Sequence, residues 1–392
     1  KLYGKTSVVH SNSSSQVLVG RNMDFNIGGQ DVGIREDFAY TFTHNATLLF
    51  GAEAHYTSFQ TNGSSPLDPL EDDPSDPNVV LKDFNVNYDG WNGGTYLTYS
   101  GRAMKKIGYS LGYRHDYNLK SNINNHSPRL SLNYSLANKI DIRAAWGIFQ
   151  QFPDLVAIDA KKDLSSNRCY HYIFGVSKTI SNGIKTWAEL YYKDYQNLVV
   201  LQGLDQYSNS GYGYSKGMEF FIQKESGIFT GWINYSFNQS KRYHPDYDRL
   251  LTADFGINHI FNIAIECQIN NFGKWYIPAL IGTQFRYNTG EPYTPVLGAF
   301  QTSAGWQKVY GAYNAQLRGN FHNLNLRIEW RAYINRKRTM RMTSFFEFWN
   351  LYNHLNELGR FYQYGNEYPN NIEETIYYST PFLNAGGFKI SF

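Results

Sequence analysis

Cysteine is nearly missing: the 392 residues hold two, Cys169 and Cys267. They lie about a hundred positions apart, in neither a paired framework nor a CxxC motif, and read as isolated thiols rather than a bridge. Long apolar runs are missing too. Mean hydropathy is −0.50, and no stretch reaches the ~18 apolar residues of a spanning helix, which excludes a helical membrane protein. Charge of one sign is not in excess, with 36 basic against 33 acidic residues; that balance excludes a polyanion-binding surface, and nucleic acid is not an expected partner. The chain opens on Lys1 and Leu2, without an initiator Met or an apolar leader, and reads as a processed or truncated product.

Catalytic signatures are equally scarce. The ten histidines form no HExxH and no i, i+4 pair, and neither a G-x-S-x-G elbow nor a Walker loop occurs. Gly211, Gly213 and Gly217 in GYGYSKG precede a strand pattern rather than a helix, so a flexible loop is preferred to a phosphate cradle. His171 and Ser177 share one strand face but stand about 20 Å apart along it, too far for a catalytic pair. No enzyme activity and no cofactor are expected.

What the chain has is aromatic side chains, 33 Tyr, 26 Phe and 8 Trp, 17% of all residues, and a period of two. Leu130, Leu132, Tyr134 and Leu136 alternate with Arg129, Ser131, Asn133 and Ser135. After Ala137, Asn138 and Lys139 the alternation resumes with Ile140, Ile142, Ala144, Trp146 and Ile148. Tyr170, Tyr172, Phe174 and Val176 continue it and, beyond a Ser181, Asn182, Gly183 turn, so do Ile184, Ala188, Leu190 and Tyr192. Met218, Phe220 and Ile222 face Ile233, Tyr235 and Phe237 across a turn at 225–227. Such alternation places apolar residues on one strand face only. The runs exceed the five or six residues usual in globular sheets and match the roughly 9–11 needed to cross a bilayer at a tilt of about 45°.

Connections alternate in length. Tight turns fall near 137–139, 181–183, 225–227 and 336–338, and long ones span 60–78, 119–126, 150–167, 197–213, 239–248, 289–308 and 353–379. Short turns on one rim and long loops on the other belong to an outer-membrane barrel, whose closure leaves no unpaired edge in hydrocarbon. The expectation is one all-β domain over 1–392: a transmembrane antiparallel up-and-down β-barrel of the bacterial outer membrane, with short periplasmic turns, long extracellular loops and 16 to 18 candidate strands. Aromatic residues at strand ends, such as Tyr191, Tyr192, Tyr195, Phe345, Phe346, Phe348, Trp349 and Tyr352, suit the headgroup girdles.

Several short motifs in order over roughly 80–392 carry a resemblance. They are Ser127–Leu130 with Ile142–Gly147, Tyr191–Leu198 (YYKDYQNL), Tyr247–Arg249 (YDR), Thr289–Pro295 (TGEPYTP) and Glu347–Asn353 (EFWNLYN). In these the chain resembles the C-terminal barrel of the TonB-dependent receptors. Gly387, Phe388, Ile390 and Phe392 resemble the last-strand signal read by the barrel-assembly machinery, with Ala385 where that pattern has a polar residue. The family carries an N-terminal plug and 22 strands. The resemblance therefore implies a barrel lacking its plug and first strands, a TonB complex reached through a plug not in this sequence, and an environment of outer-membrane lipid and lipopolysaccharide. It implies uptake of a scarce nutrient of siderophore, cobalamin-like or oligosaccharide class. Alternatives are a passive porin-like or structural barrel subunit of an envelope assembly with protein partners, and a secreted all-β sugar-binding protein.

Ligand recognition then falls to the long loops, where Tyr207, Tyr212, Tyr214, Tyr293, Trp306 and Tyr310 offer stacking rings. Asp68, Glu71, Asp72, Asp73 and Asp76, interleaved with prolines, are candidate calcium ligands. A solvated loop is the plainer reading, since the spacing lacks the glycine anchor of a calcium loop. No other metal site is expected. The charges Arg129, Arg143, Lys185, Glu189, Lys193 and Glu219 are expected in the lumen.

Overall fold

Alternating sequence builds alternating strands. In the computed structural model, which describes residues 1–392 except 20–22, 44, 67–80, 181–182, 203–205, 273–276, 303–304, 335–336, 338 and 365–371, the elements follow one another along the chain. They are β1 (Leu2–Val19), β2 (Met23–Thr43), β3 (Ala46–Pro66), β4 (Leu81–Ala103), β5 (Ile107–Asn118), β6 (Ile123–Ser135), β7 (Ile140–Gln151) and the short helix α1 (Leu155–Ala160). Next come β8 (Asn167–Thr179), β9 (Ile184–Gln202), β10 (Gln206–Lys224), β11 (Phe229–His244), β12 (Arg249–Thr252), β13 (His259–Phe272) and β14 (Ile277–Asn288). The last third holds β15 (Pro292–Tyr293), β16 (Val296–Thr302), β17 (Gly305–Tyr310), β18 (Gln316–Leu317), β19 (Phe321–Tyr333), β20 (Arg341–Trp349), β21 (Glu357–Tyr364), β22 (Ile372–Tyr378) and β23 (Leu383–Ser391).

One 17-stranded sheet contains all but the small pairs β15–β18, β16–β17 and β21–β22. Each strand pairs antiparallel with its neighbour in sequence from β1 to β11, then through β13, β14, β19, β20 and β23. The four-residue β12 lies beside the upper end of β11, so sixteen strands make the up-and-down meander. No helix among the described residues is long and apolar enough to cross a membrane; the chain crosses with strands.

The distribution of apolar surface decides what surrounds this sheet. Leu97, Leu111, Leu190 and Phe220 lie on one face and are 46–57% exposed, while the opposite face carries the charges. In water such a surface would be an aggregation liability; in a bilayer it is the lipid-facing wall. The inner face is a lattice of ion pairs. Arg35 Nε lies 2.9 Å from Asp37 and its Nη1 3.3 Å from Glu53; Arg114 bridges Glu53 and Asp116; Tyr96 donates to Asp37. Arg143 and Glu189 pair at 2.6 Å, and Arg327 joins Glu347 and Glu329. Alternating signs on facing strands satisfy these charges where lipid is excluded and water enters.

Tight connections gather at one rim, at 104–106, 137–139 and 225–228, and long ones at the other. The long-loop side differs from expectation in one respect. Residues 197–202 and 206–213 continue β9 and β10, 123–126 begin β6, and 239–244 end β11. The extensions at 123–126, 206–213 and 239–244 carry polar residues on both faces and Leu198–Leu201 carries apolar ones on both, so the two-residue period that marks a lipid-facing strand vanishes there. GYGYSKG accordingly lies inside β10. Both cysteines are free.

Candidate ligand site at the long-loop rim

Where β11 leaves the sheet, Pro245 opens a single 3-10 turn that ends at Asp248 in the left-handed region, φ 48°. The turn folds Tyr247 back toward His244, their rings 4.9 Å apart and nearly perpendicular. From the other side comes the segment between β14 and β19. Its pairing of β15 with β18, Tyr293 opposite Gln316, brings Tyr313 against His244 with centroids 4.3 Å apart at 65°. Gly290 makes this crossing possible: a Cβ there would stand 1.8 Å from the carbonyl oxygen of Arg318.

Polar bonds lock the two segments together. Tyr313 Oη and Asn314 Nδ2 both donate to Asp254 Oδ1, the amide at 2.8 Å, and the same amide donates to Thr252 O at 2.9 Å. The Asn314 backbone N–H donates to Thr294 Oγ1 at 3.0 Å. Burial first, and then the bond to Asp254, push the Tyr313 phenol well above its ordinary range, so it stays a protonated donor at any physiological pH. Arg318 reaches Glu291 at 3.4 Å and the Leu358 carbonyl at 3.0 Å. Behind it Arg360 stacks over the Tyr293 ring at 4.5 Å and pairs with Glu357 and Glu374.

These residues enclose a cavity of ≈ 640 Å³ lined by His244, Tyr247, Asp254, Phe255, Tyr293, Tyr310, Tyr313 and Arg318 among others. A second, of ≈ 560 Å³, shares His244, Asp254, Phe255 and Tyr313 and continues to the lumenal side chains Asn238, Ser240 and Arg242. Among the described residues, two buried polar atoms on this wall have no hydrogen-bond partner, His244 Nδ1 and Arg318 Nε. His244 Nδ1 stands 4.0 Å from Asp246 Oδ2. Rings for stacking, carboxylates and an amide for hydroxyl groups, and two idle buried nitrogens suit a polar ring-bearing ligand in a cavity of ordinary ligand-site size.

Of the rings singled out in the sequence, Tyr293 and Tyr310 line this cavity. Tyr207 stands apart on β10, its carbonyl accepting from Lys161 at 3.0 Å. Tyr212 and Tyr214 share the outward face of β10 with Met218 and Phe220; Tyr212 stacks on Tyr243 at 4.9 Å. Trp306 pairs through its backbone with Gln301, and its side chain lies outside the described residues. So do Asp68, Glu71, Asp72, Asp73 and Asp76. Gly387, Phe388 and Ile390 lie on β23 opposite Phe345, Ser344 and Met342, and Phe392 follows as the exposed last residue. His244, Tyr313, Asn314 and Arg318 escaped sequence reading. The signals that pointed nearest were the YDR and TGEPYTP motifs, which flank the cavity.

Fold, lipid-facing wall and segregated loops define an outer-membrane β-barrel. No protein-family model and no curated protein sequence matches the chain. Among solved structures it is similar to the FrpB iron transporter from Neisseria meningitidis, with TM-score 0.63 and 13% identity over 94% of this chain and 56% of that one. It is similar also to the outer membrane transporter YddB from Escherichia coli, with TM-score 0.62 and 10% identity over 99% and 67%. The ferripyoverdine receptor of the outer membrane of Pseudomonas aeruginosa gives TM-score 0.63 and 12% identity over 99% and 53%. The chain thus has the fold of the barrel of TonB-dependent outer-membrane transporters and spans between 53% and 67% of the length of these three.

Proposed function

We propose that this chain is the barrel of a TonB-dependent outer-membrane transporter, one that takes up a scarce nutrient through a lumen gated by a plug outside this sequence. The observation that carries the reading is the aromatic and polar cavity at the long-loop rim, with a second cavity leading from it toward lumenal Asn238 and Arg242. The lining holds Asp246, Asp254 and Glu291 against Arg318, a balance that repels a polyanion and suits a hydroxyl-rich ligand. Of the three nutrient classes, oligosaccharide therefore fits better than a highly anionic metal chelate. TonB and the barrel-assembly machinery are the proposed protein partners, the latter reading Gly387, Phe388, Ile390 and Phe392.

The test is uptake by cells that need the full-length protein for growth on such a nutrient. Tyr293→Ala combined with Tyr313→Ala is expected to lower uptake on the order of tenfold, equivalent to about 1.4 kcal/mol, while the heat-modifiable gel migration of a folded barrel is kept. Uptake equal to the parent would refute the reading. A steady open-pore conductance of the full-length protein in a planar bilayer would favour the passive alternative instead.

A further inference from the structure

Three tyrosine–histidine pairs recur around the outer face, and they share one geometry. Tyr113 Oη lies 2.6 Å from His126 Nδ1, Tyr235 Oη 2.9 Å from His259 Nδ1, and Tyr352 Oη 2.8 Å from His322 Nδ1. Each histidine stands at the long-loop end of its strand, fourth in β6, first in β13 and second in β19. Each continues a lipid-facing row by strand parity: His126 with Leu130 and Leu132, His259 with Phe261 and Ile263, His322 with Leu324 and Leu326.

The shared bond has a chemical consequence. A neutral imidazole carries one N–H, and a phenol that donates to Nδ1 leaves that proton on Nε2. Protonation adds a proton at Nδ1, where the phenol turns to accept it, and keeps the one on Nε2. With the phenol as donor, and again in the protonated ring, Nε2–H is a donor, and among the described residues none of the three Nε2 atoms has a protein partner. Neighbouring rings hold the imidazoles in place: His115 stacks on His126 at 5.0 Å and His354 on His322 at 3.7 Å. Between the first and second pairs, Lys216 and Lys241 lie on the same outward face, opposite Tyr192 and Tyr214 in register, with Lys216 beside the Tyr214 ring at 5.4 Å. Asp194 also faces outward here and accepts from Gln196 at 2.8 Å.

We infer that this belt binds the phosphate groups of outer-leaflet lipid headgroups. The occupant follows from continuity: the lipid whose chains cover Leu130, Ile263 and Leu326 carries its headgroup at the level of the histidines just beyond them. Imidazole N–H donors and two ammonium groups complement an anionic phosphate. The inference rests on the outer-membrane location of the barrel and not on what it transports, so it stands or falls independently of the rim cavity.

The test is native mass spectrometry of the full-length protein in detergent, offered a bisphosphorylated glycolipid or the same glycolipid with its phosphates removed. The parent is expected to retain the phosphorylated form about tenfold better. His126→Leu, His259→Leu and His322→Leu together lower the preference several-fold, leaving only the part that Lys216 and Lys241 supply, and the corresponding Gln variant, which keeps an Nε2–H donor, restores most of it. If the leucine variant does not fold, Tyr113→Phe with Tyr235→Phe and Tyr352→Phe leaves every imidazole in place and still lowers the preference several-fold. Equal retention of both lipids by the parent, or an undiminished preference in the folded leucine or phenylalanine variants, would overturn the inference. So would displacement of the lipid by millimolar inorganic phosphate, which would assign the sites to the free ion.

Discussion

Tyr313, Asp254 and Asn314 show why the rim cavity was only half legible at the level of single residues. Tyr293 and Tyr310 declare themselves as rings in a long loop. His244 and Asp254 become part of a site only when a segment some sixty positions away folds over them, as the Asn314 bond to Asp254 records. Composition predicts which residues can bind and gives no distance between them. The same scale carries a pH prediction. Desolvation pushes the Glu357 carboxyl up, but bonds from Arg360 and the Gly319 N–H, with the charges of Arg360 and Arg318, more than offset it and hold it below the usual carboxylate range. A carboxyl depressed in the folded state contributes its full stability above its unfolded value, about pH 4.3, and loses it as pH falls through the lower folded value. The β21–β22 hairpin is therefore expected to resist protease at neutral pH and to loosen only below about pH 4. Glu357→Gln abolishes that acid step and makes the hairpin more protease-sensitive at pH 7; limited proteolysis of vesicle-reconstituted protein across this range checks it.

At the scale of the element, the hairpins whose turns carry their own chemistry were readable and the others were not. Asn138, at φ 61°, sits in a turn that its residue type announces, since Asn tolerates the left-handed region. The turn between β4 and β5 uses Met104 and Lys105 at φ 51° and 58°, residue types that pay a steric penalty there and give no sign in sequence. Replacing Met104 by Asn and Lys105 by Gly relieves that strain and is expected to stabilise the barrel by about 1 kcal/mol, read as a raised urea midpoint in lipid vesicles; Met104→Val is expected to lower it. The lipid-crossing parts of the strands were legible for the opposite reason. Leu130, Leu190 and Phe220 mark a face that lipid demands, whereas the extensions at 197–202 and 206–213 have no such constraint and read as loop.

At the scale of the whole molecule, the simple meander, sixteen strands among the described residues, follows from alternation plus loop length. What periodicity does not encode is pairing at the edges: among the described residues β1 pairs with β2 alone and β23 with β20 alone. An even number of strands sets these edges antiparallel, and in hydrocarbon their backbone groups require partners. The central claim is that this wall spans the outer membrane with the long-loop cavity facing outward. Single-cysteine labelling in intact cells tests it most directly, with Cys169 and Cys267 replaced by Ser in the full-length protein. The account predicts that Lys162→Cys, in a long loop, reacts with a membrane-impermeant maleimide in intact cells. Lys105→Cys, at the short-turn rim, reacts only after the outer membrane is opened, and lipid-facing Leu97→Cys stays protected in both. Labelling of Lys105→Cys in intact cells, or free reaction of Leu97→Cys, would contradict it.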